Sequence, residues 1–114
     1  MGANISEKFV GLRQSHLDSV ARMFNALAEP TRLRILQSLQ AGPLAVGQIV
    51  EETGAKQANV SKQLGILHAA GLVSRERNGN IVRYYISESM IFELCGLVCA
   101  KIQRDAEAQA KAFR

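Results

Sequence analysis

Residues 56–86 read KQANVSKQLGILHAAGLVSRERNGNIVRYYI, and this stretch decides the fold of the 114-residue chain. Its first half places Val60, Leu64 and Leu67 four and three residues apart, which is the spacing of one helical face. The spacing predicts a helix over about residues 57–70 whose opposite face is polar.

The second half of the stretch predicts a β-hairpin over about residues 72–86. Gly71 is the residue type that commonly ends a helix. Beyond it, two β-rich segments flank Asn78-Gly79, a dipeptide typical of two-residue hairpin turns. We call this hairpin the wing.

The two ends of the chain are predicted to be helical. Apolar periodicity indicates a first helix over about residues 5–28, interrupted near residues 11–15, and a last helix over about residues 88–110. Ser87 is expected to cap the last helix, because a serine hydroxyl can accept a hydrogen bond from a free N–H of the first turn.

Two shorter helices lie between these ends. Pro30 suits the first turn of one of them, where its missing N–H costs nothing, and Leu33 is expected on its buried stripe. A tight turn at residues 53–55 separates the other from the helix of residues 57–70. The predicted order is helix, helix, helix-turn-helix, hairpin, helix.

These elements predict one domain over residues 1–114: mainly α with a two-stranded β-hairpin wing, a winged helix-turn-helix. Apolar residues are 47% and charged residues 21% of the chain, which excludes a disordered segment. Apolar runs of about 18 residues and a secretory leader are both absent from the sequence, and a cytoplasmic location is expected.

Positive charge is concentrated in the same stretch. The net charge is +4, and residues 56–83 contain five basic side chains and one acid, so the rest of the chain is neutral overall. Charge placed in this way favours a polyanionic partner. A solvated surface that happens to be basic would give the same count.

The side chains on the predicted outer face of the helix are of types that can bind DNA. Gln and Asn can bond adenine, Lys can reach guanine or phosphate, and Ala can touch a thymine methyl group. The candidate DNA-contacting residues are Gln57, Ala58, Asn59, Ser61, Lys62 and Gln63 on the helix, and Arg75, Arg77, Asn80 and Arg83 on the wing. An ordinary amphipathic surface helix and a solubilising edge hairpin are the competing interpretations.

At four places the chain resembles the ArsR/SmtB family of bacterial winged-helix regulators. The matching segments are ALAEPTRLRIL (26–36), QANVSKQL (57–64), LHAAGLV (67–73) and RYYI (83–86). The resemblance implies a homodimeric transcriptional repressor that is joined through its first and last helices. Each recognition helix, the helix of residues 57–70, would enter the major groove of a near-palindromic double-stranded operator, and a small effector would release the protein.

Two features depart from that family pattern. Residues 44–50, LAVGQIV, have no Cys, His or paired acid where many metal sensors of the family have a cysteine motif. The last helix has no His, unlike the helix that binds zinc in other members. Neither of these metal sites is predicted here.

Cys95 and Cys99 share one face of the last helix, and three interpretations stay open. They are small apolar residues of the core or of an interface, or a thiol switch, or two ligands of a soft metal or arsenite with a third from His16 or the partner subunit. No cofactor is predicted beyond this.

An enzyme is not expected. His16 and His68 lie on different predicted helices without a nucleophile or carboxylate at a catalytic spacing, and no phosphate-binding glycine loop is found. The alternative function is a winged-helix protein-interaction module without affinity for DNA.

Overall fold

The computed structural model describes residues 5–113, which form six helices and three strands. In chain order these elements are α1 (Ile5–Val10), α2 (Gln14–Leu27), α3 (Pro30–Leu39), β1 (Leu44–Ala45), α4 (Val46–Thr53), α5 (Gln57–Ala69), β2 (Val73–Asn78), β3 (Ile81–Ile86) and α6 (Met90–Ala112). No helix within this range is long and apolar enough to cross a lipid bilayer.

The start of α3 is set by a side-chain cap. The Oε2 of Glu29 accepts a hydrogen bond from the backbone N–H of Arg32 at 2.9 Å, and Pro30 follows Glu29 as the first helical residue. A hydrogen bond from the backbone N–H of Thr31 is the largest cause that holds the pKa of the Glu29 carboxyl below its ordinary value of 4.5.

One apolar core lies between α3, α4, α5 and the base of the sheet. Leu33 is 41% exposed, so its predicted burial is wrong. It precedes Ile35 by two residues and therefore points away from the buried side of α3. The side chains that are less than 2% exposed are Ile35, Leu39, Ile49, Val60, Leu64, Leu67, Leu72, Val73 and Ile91.

The sheet has three strands in the order β1-β3-β2, so the predicted hairpin is present but the sheet is larger than predicted. β1 contributes two residues, with Leu44 opposite Tyr84 and Ala45 opposite Arg83 in antiparallel register. Because β1 leads directly into α4, this pairing attaches the base of the wing to the helix-turn-helix.

The beginning of α6 differs from the prediction. Its N-cap is Ser89, so the prediction that Ser87 caps the helix is wrong. The N–H of Ser87 instead donates to the carbonyl of Leu72 at 3.1 Å, and its hydroxyl donates to the carbonyl of Gly71 at 3.1 Å. Ser87 thus joins the end of β3 to the end of α5.

Most of α6 extends beyond the core. Its first turns pack against the core through Ile91 and Leu94, but Val98 and Ile102 are 50% and 60% exposed. The radius of gyration is 17.3 Å, whereas a compact domain of this length has about 13 Å. The helix therefore presents an apolar stripe that the other described elements do not cover.

Candidate nucleic-acid interface

A tight turn sets the direction of α5 relative to α4. Gly54 ends α4 with φ +71°, a left-handed conformation that glycine adopts without steric cost. The hydroxyl of Thr53 donates to the carbonyl of Ile49 at 2.8 Å and accepts from the N–H of Ala55 at 3.3 Å. These bonds hold the turn between α4 and α5 in one conformation.

The first turns of α5 present polar side chains to solvent. Val60, Leu64 and Leu67 are fully buried, as the spacing predicted. The candidate residues that lie exposed on the opposite side are Gln57, Ala58, Asn59, Ser61 and Lys62. This set brings amide, hydroxyl and ammonium groups together within two turns at the N-terminal end of the helix, which a DNA-reading helix uses for base edges.

Gln63 does not belong to that surface, and the prediction that it lies on the exposed face is wrong. Its side chain is 7% exposed, and its Oε1 accepts a hydrogen bond from Nη1 of Arg32 at 2.7 Å. Its Nε2 donates to Oδ1 of Asn59 at 3.0 Å. Gln63 thus lies behind the exposed face and supports it.

Arg32 is the residue that the sequence analysis missed. Its side chain is 9% exposed and packs between three helices. Besides Gln63 on α5, it donates from Nε to the carbonyl of Ala26 at 2.7 Å and from Nη2 to the carbonyl of Asn25 at 2.9 Å. One buried guanidinium therefore holds the end of α2, the start of α3 and the recognition helix α5 together.

The end of α5 fixes the position of the wing. Gly71 has φ +76°, its N–H donates to the carbonyl of His68 at 3.0 Å, and the N–H of Leu72 donates to the carbonyl of Leu67 at 3.0 Å. This is the Schellman pattern of helix termination. The chain enters β2 one residue later, so little freedom remains between the recognition helix and the wing.

The wing has two faces of different charge. The pairs Arg75–Tyr84 and Arg77–Val82 lie on the face that continues from Val73, which is buried in the core. That face contains no acidic residue. It borders a concave region of about 480 Å³ that Val46 at the start of α4 also lines.

Arg83 lies on the other face, directly opposite Glu76. The register therefore brings Arg75 and Arg77 together on the side of the helices, and it separates Arg83 from them. The tip of the wing is formed by Gly79, with φ +63°, and Asn80, which is exposed.

The cysteines lie away from this surface, on α6. Cys95 is half-buried and Cys99 is exposed, and both thiols are free. Among the residues described, no group of three or more His, Cys, Asp or Glu side chains is arranged to hold a metal ion.

Comparison with known proteins agrees with this geometry. A family model described as "Bacterial regulatory protein, arsR family" matches residues 29–75, from the cap of α3 to β2. The chain is 39% identical over 80 residues to the probable mercury resistance operon repressor of Streptomyces lividans. The aligned region covers 70% of this chain and 64% of that protein.

Two mycobacterial proteins are similar over more of their length. The HTH-type transcriptional regulator Rv0081 of Mycobacterium tuberculosis is 36% identical over 98 residues, covering 82% of this chain and 86% of that one. Its crystal structure superposes with a TM-score of 0.76 over 86% of this chain and 99% of that chain, at 31% identity in the superposition.

The second is the homodimeric winged helix-turn-helix DNA-binding domain of Mb0332 from Mycobacterium bovis, described as a possible ArsR-family transcriptional regulator. It superposes with a TM-score of 0.72 at 34% identity, covering 86% of this chain and 94% of that chain. The predicted family and winged-helix fold are thereby confirmed: this chain belongs to the arsR family of bacterial regulatory proteins, a family of winged helix-turn-helix transcriptional regulators.

Proposed function

We propose that this protein is a homodimeric, cytoplasmic repressor that binds a specific near-palindromic sequence in double-stranded DNA and is released by a small effector. One observation carries the proposal: the exposed polar start of α5 and the acid-free arginine face of the wing belong to one rigidly connected unit. A helix of this kind fits the major groove, which is about 12 Å wide.

Phosphate contacts are assigned to Lys62, Arg75 and Arg77, and base contacts to Gln57 and Asn59. A long cationic side chain suits the charged backbone, whereas amide side chains present the donors and acceptors that distinguish base edges. The contribution of Arg83 is expected to be smaller because Glu76 lies opposite it in the sheet.

The exposed stripe of α6 supports a dimer. Val98 and Ile102 are at least half exposed in one chain, and a long helix with such a surface is stabilised when a second copy covers it. The similar domain of Mb0332 is homodimeric. Two copies would place two recognition helices on one face of the duplex, as a near-palindromic operator requires.

The effector is assigned by chemical class only. Cys95 and Cys99 on α6 lie on the proposed dimer helix, so an adduct, an intersubunit disulfide or a bound soft metal or arsenite there would change the spacing of the two recognition helices. Replacing both by Ser and measuring DNA release by thiol reagents and metals tests this assignment. Release that is unchanged in the double variant shows that the effector acts elsewhere.

Salt dependence of DNA binding tests the proposal. Six phosphate contacts from two protomers give a slope of about −5 for log K against log salt concentration, at about −0.9 for each contact. Lys62→Ala removes two contacts and should flatten the slope by about 2 for specific and random duplexes alike. Gln57→Ala should instead reduce the preference between sequences.

Arg104→Ala is the matched control for Lys62→Ala. Arg104 is exposed on α6 and lies about opposite Ile102 around the helix, so its loss removes the same charge away from the proposed DNA surface. A slope near zero for the unaltered protein would favour a protein-interaction module and would overturn the proposal.

A further inference from the structure

Three side chains form a hydrogen-bonded series from the interior to the DNA-facing surface. Nη1 of Arg32 donates to Oε1 of Gln63 at 2.7 Å, and Nε2 of Gln63 donates to Oδ1 of Asn59 at 3.0 Å. The first two side chains are at least nine-tenths buried, and Asn59 is exposed in the first turn of α5. The series therefore ends at a residue that the proposed function places in the major groove.

Chemistry fixes the direction of every bond in this series. A guanidinium has only donors, so Gln63 must turn its oxygen towards Arg32. The NH₂ group of Gln63 must then donate to Asn59, and Asn59 must accept through its side-chain oxygen. The Nδ2 of Asn59, which carries two donors, is left to face outwards.

We propose that Arg32 is a positioning residue that, through Gln63, fixes the side-chain amide of Asn59 with its donors towards the DNA. This inference rests on the proposed function and names one determinant of its specificity. An unconstrained asparagine can turn its amide over and accept as readily as donate, and so tolerates several bases. Asn59 is held in one of its two orientations.

An outward NH₂ group selects acceptors on a base edge. In the major groove these are N7 and O6 of guanine, N7 of adenine and O4 of thymine, whereas cytosine offers a donor. The base that Asn59 contacts should therefore be chosen for its acceptors, with guanine favoured because it has two and cytosine disfavoured.

Gln63→Glu tests the direction of the series without changing the size of the side chain. The carboxylate still accepts from Arg32, but it has no donor for Asn59. The amide of Asn59 must then turn its Nδ2 inwards to bond the carboxylate, and its Oδ1 faces the DNA. The preferred base should change to one that offers a donor, which is cytosine N4–H or adenine N6–H.

The measurement is selection from a pool of random duplexes, followed by sequencing, with each preference expressed relative to the other bases at the same position. Asn59→Ala locates the position that this residue reads, because the preference there is lost while the others stay. At that position the unaltered protein should disfavour cytosine by about fivefold or more. Gln63→Glu should reverse this preference and leave the other positions unchanged.

A second variant keeps the test decisive if Gln63→Glu does not fold. The double variant Arg32→Met with Gln63→Leu replaces both buried partners by apolar side chains of similar length, a change that proteins often tolerate. Asn59 then has no fixed orientation, and the preference at its position should fall to about twofold or less. The thermal unfolding of each variant is measured beside its selection.

The outcomes separate the inference from the proposed function. If the unaltered protein enriches a sequence but both variants read the Asn59 position as it does, the positioning role of Arg32 is wrong and the DNA-binding proposal stands. Uniform weakening at every position also overturns the role, since a merely structural residue would have that effect. If the unaltered protein enriches no sequence, the proposed function itself fails.

Discussion

Replacing Arg32 by Met removes a buried charged side chain that joins α2, α3 and α5. Its guanidinium makes three hydrogen bonds of 2.7, 2.7 and 2.9 Å, and 9% of the residue is exposed. Methionine retains most of the apolar stem, so the change isolates the polar contacts from the packing.

The expected loss follows from what these bonds leave behind. A hydrogen bond to a charged group contributes about 1.5–3 kcal/mol, and a buried acceptor without a partner costs about 1–3 kcal/mol. Oε1 of Gln63 and the carbonyl of Ala26 each lose a buried donor, whereas the carbonyl of Asn25 is only partly buried and can bind water. Burial of the charged guanidinium costs free energy in the unaltered protein, and the Met variant avoids this cost, which offsets part of the loss. We expect Arg32→Met to lower the free energy of unfolding by about 2–4 kcal/mol, or the Tm by roughly 8–16 °C.

Thermal and urea unfolding at one protomer concentration measure this loss, because the stability of a dimer depends on concentration. Arg34→Met is the matched control: it is the same change two residues along α3, at an exposed position. The control should change the stability by less than about 0.5 kcal/mol. Equal and small losses of stability in the two variants would refute the stabilising role given to Arg32.

Three further results are expected. Arg77→Ala should flatten the slope of log K against log salt concentration by about 2 for the dimer. Arg83→Ala should flatten it by less than half as much, since Arg83 lies on the other wing face. Equal effects of the two variants would contradict the proposal that DNA is contacted by the face of Arg77. Ile102→Glu should give monomers in light scattering after size-exclusion chromatography, because it places a charge on the exposed stripe of α6; a dimer that persists would move the interface elsewhere. Glu29→Gln should lower the free energy of unfolding at pH 7. The pKa of the Glu29 carboxyl is lowered in the folded state, so the stabilisation by this cap is lost when the carboxyl is protonated. The difference in stability between Glu29→Gln and the unaltered protein should therefore shrink as the pH falls below 4.5. A difference that is the same at pH 7 and pH 3 in urea unfolding would contradict this role of the cap.

Local signals explain why α5 and the wing were predicted well. The buried spacing of Val60, Leu64 and Leu67, the terminating Gly71 and the turn residue Gly79 each act within a few residues. β1 was not predicted because Leu44–Ala45 has no alternation of its own and forms a strand only by pairing with β3.

Gln63 and Arg32 are polar residues whose burial was not predicted from the sequence. Gln63 falls with Val60, Leu64 and Leu67 in an i, i+3, i+4, i+7 pattern, and Arg32 stands in the same relation to the buried side of α3. The spacing therefore favours the interior for both side chains, but the polar chemistry of Gln63 led to its prediction on the exposed face, and Arg32 was not singled out. The spacing did not say that they meet, because the bond joins residues 31 positions apart and depends on how α3 packs on α5.

The apolar side of α6 illustrates the opposite difficulty. Its spacing is that of a buried face, yet Val98 and Ile102 are at least half exposed in one chain. A periodic apolar pattern indicates a surface that is covered in the functional molecule, and it does not say whether the same chain or a second copy covers it.

Native mass spectrometry of the protein mixed with a duplex enriched by selection tests the central claim most directly. Two protomers, each presenting one recognition helix, should bind one duplex, and the free protein should already be a dimer. A complex with a single protomer, or a protein that is monomeric and leaves the duplex unbound at low salt, would contradict the account.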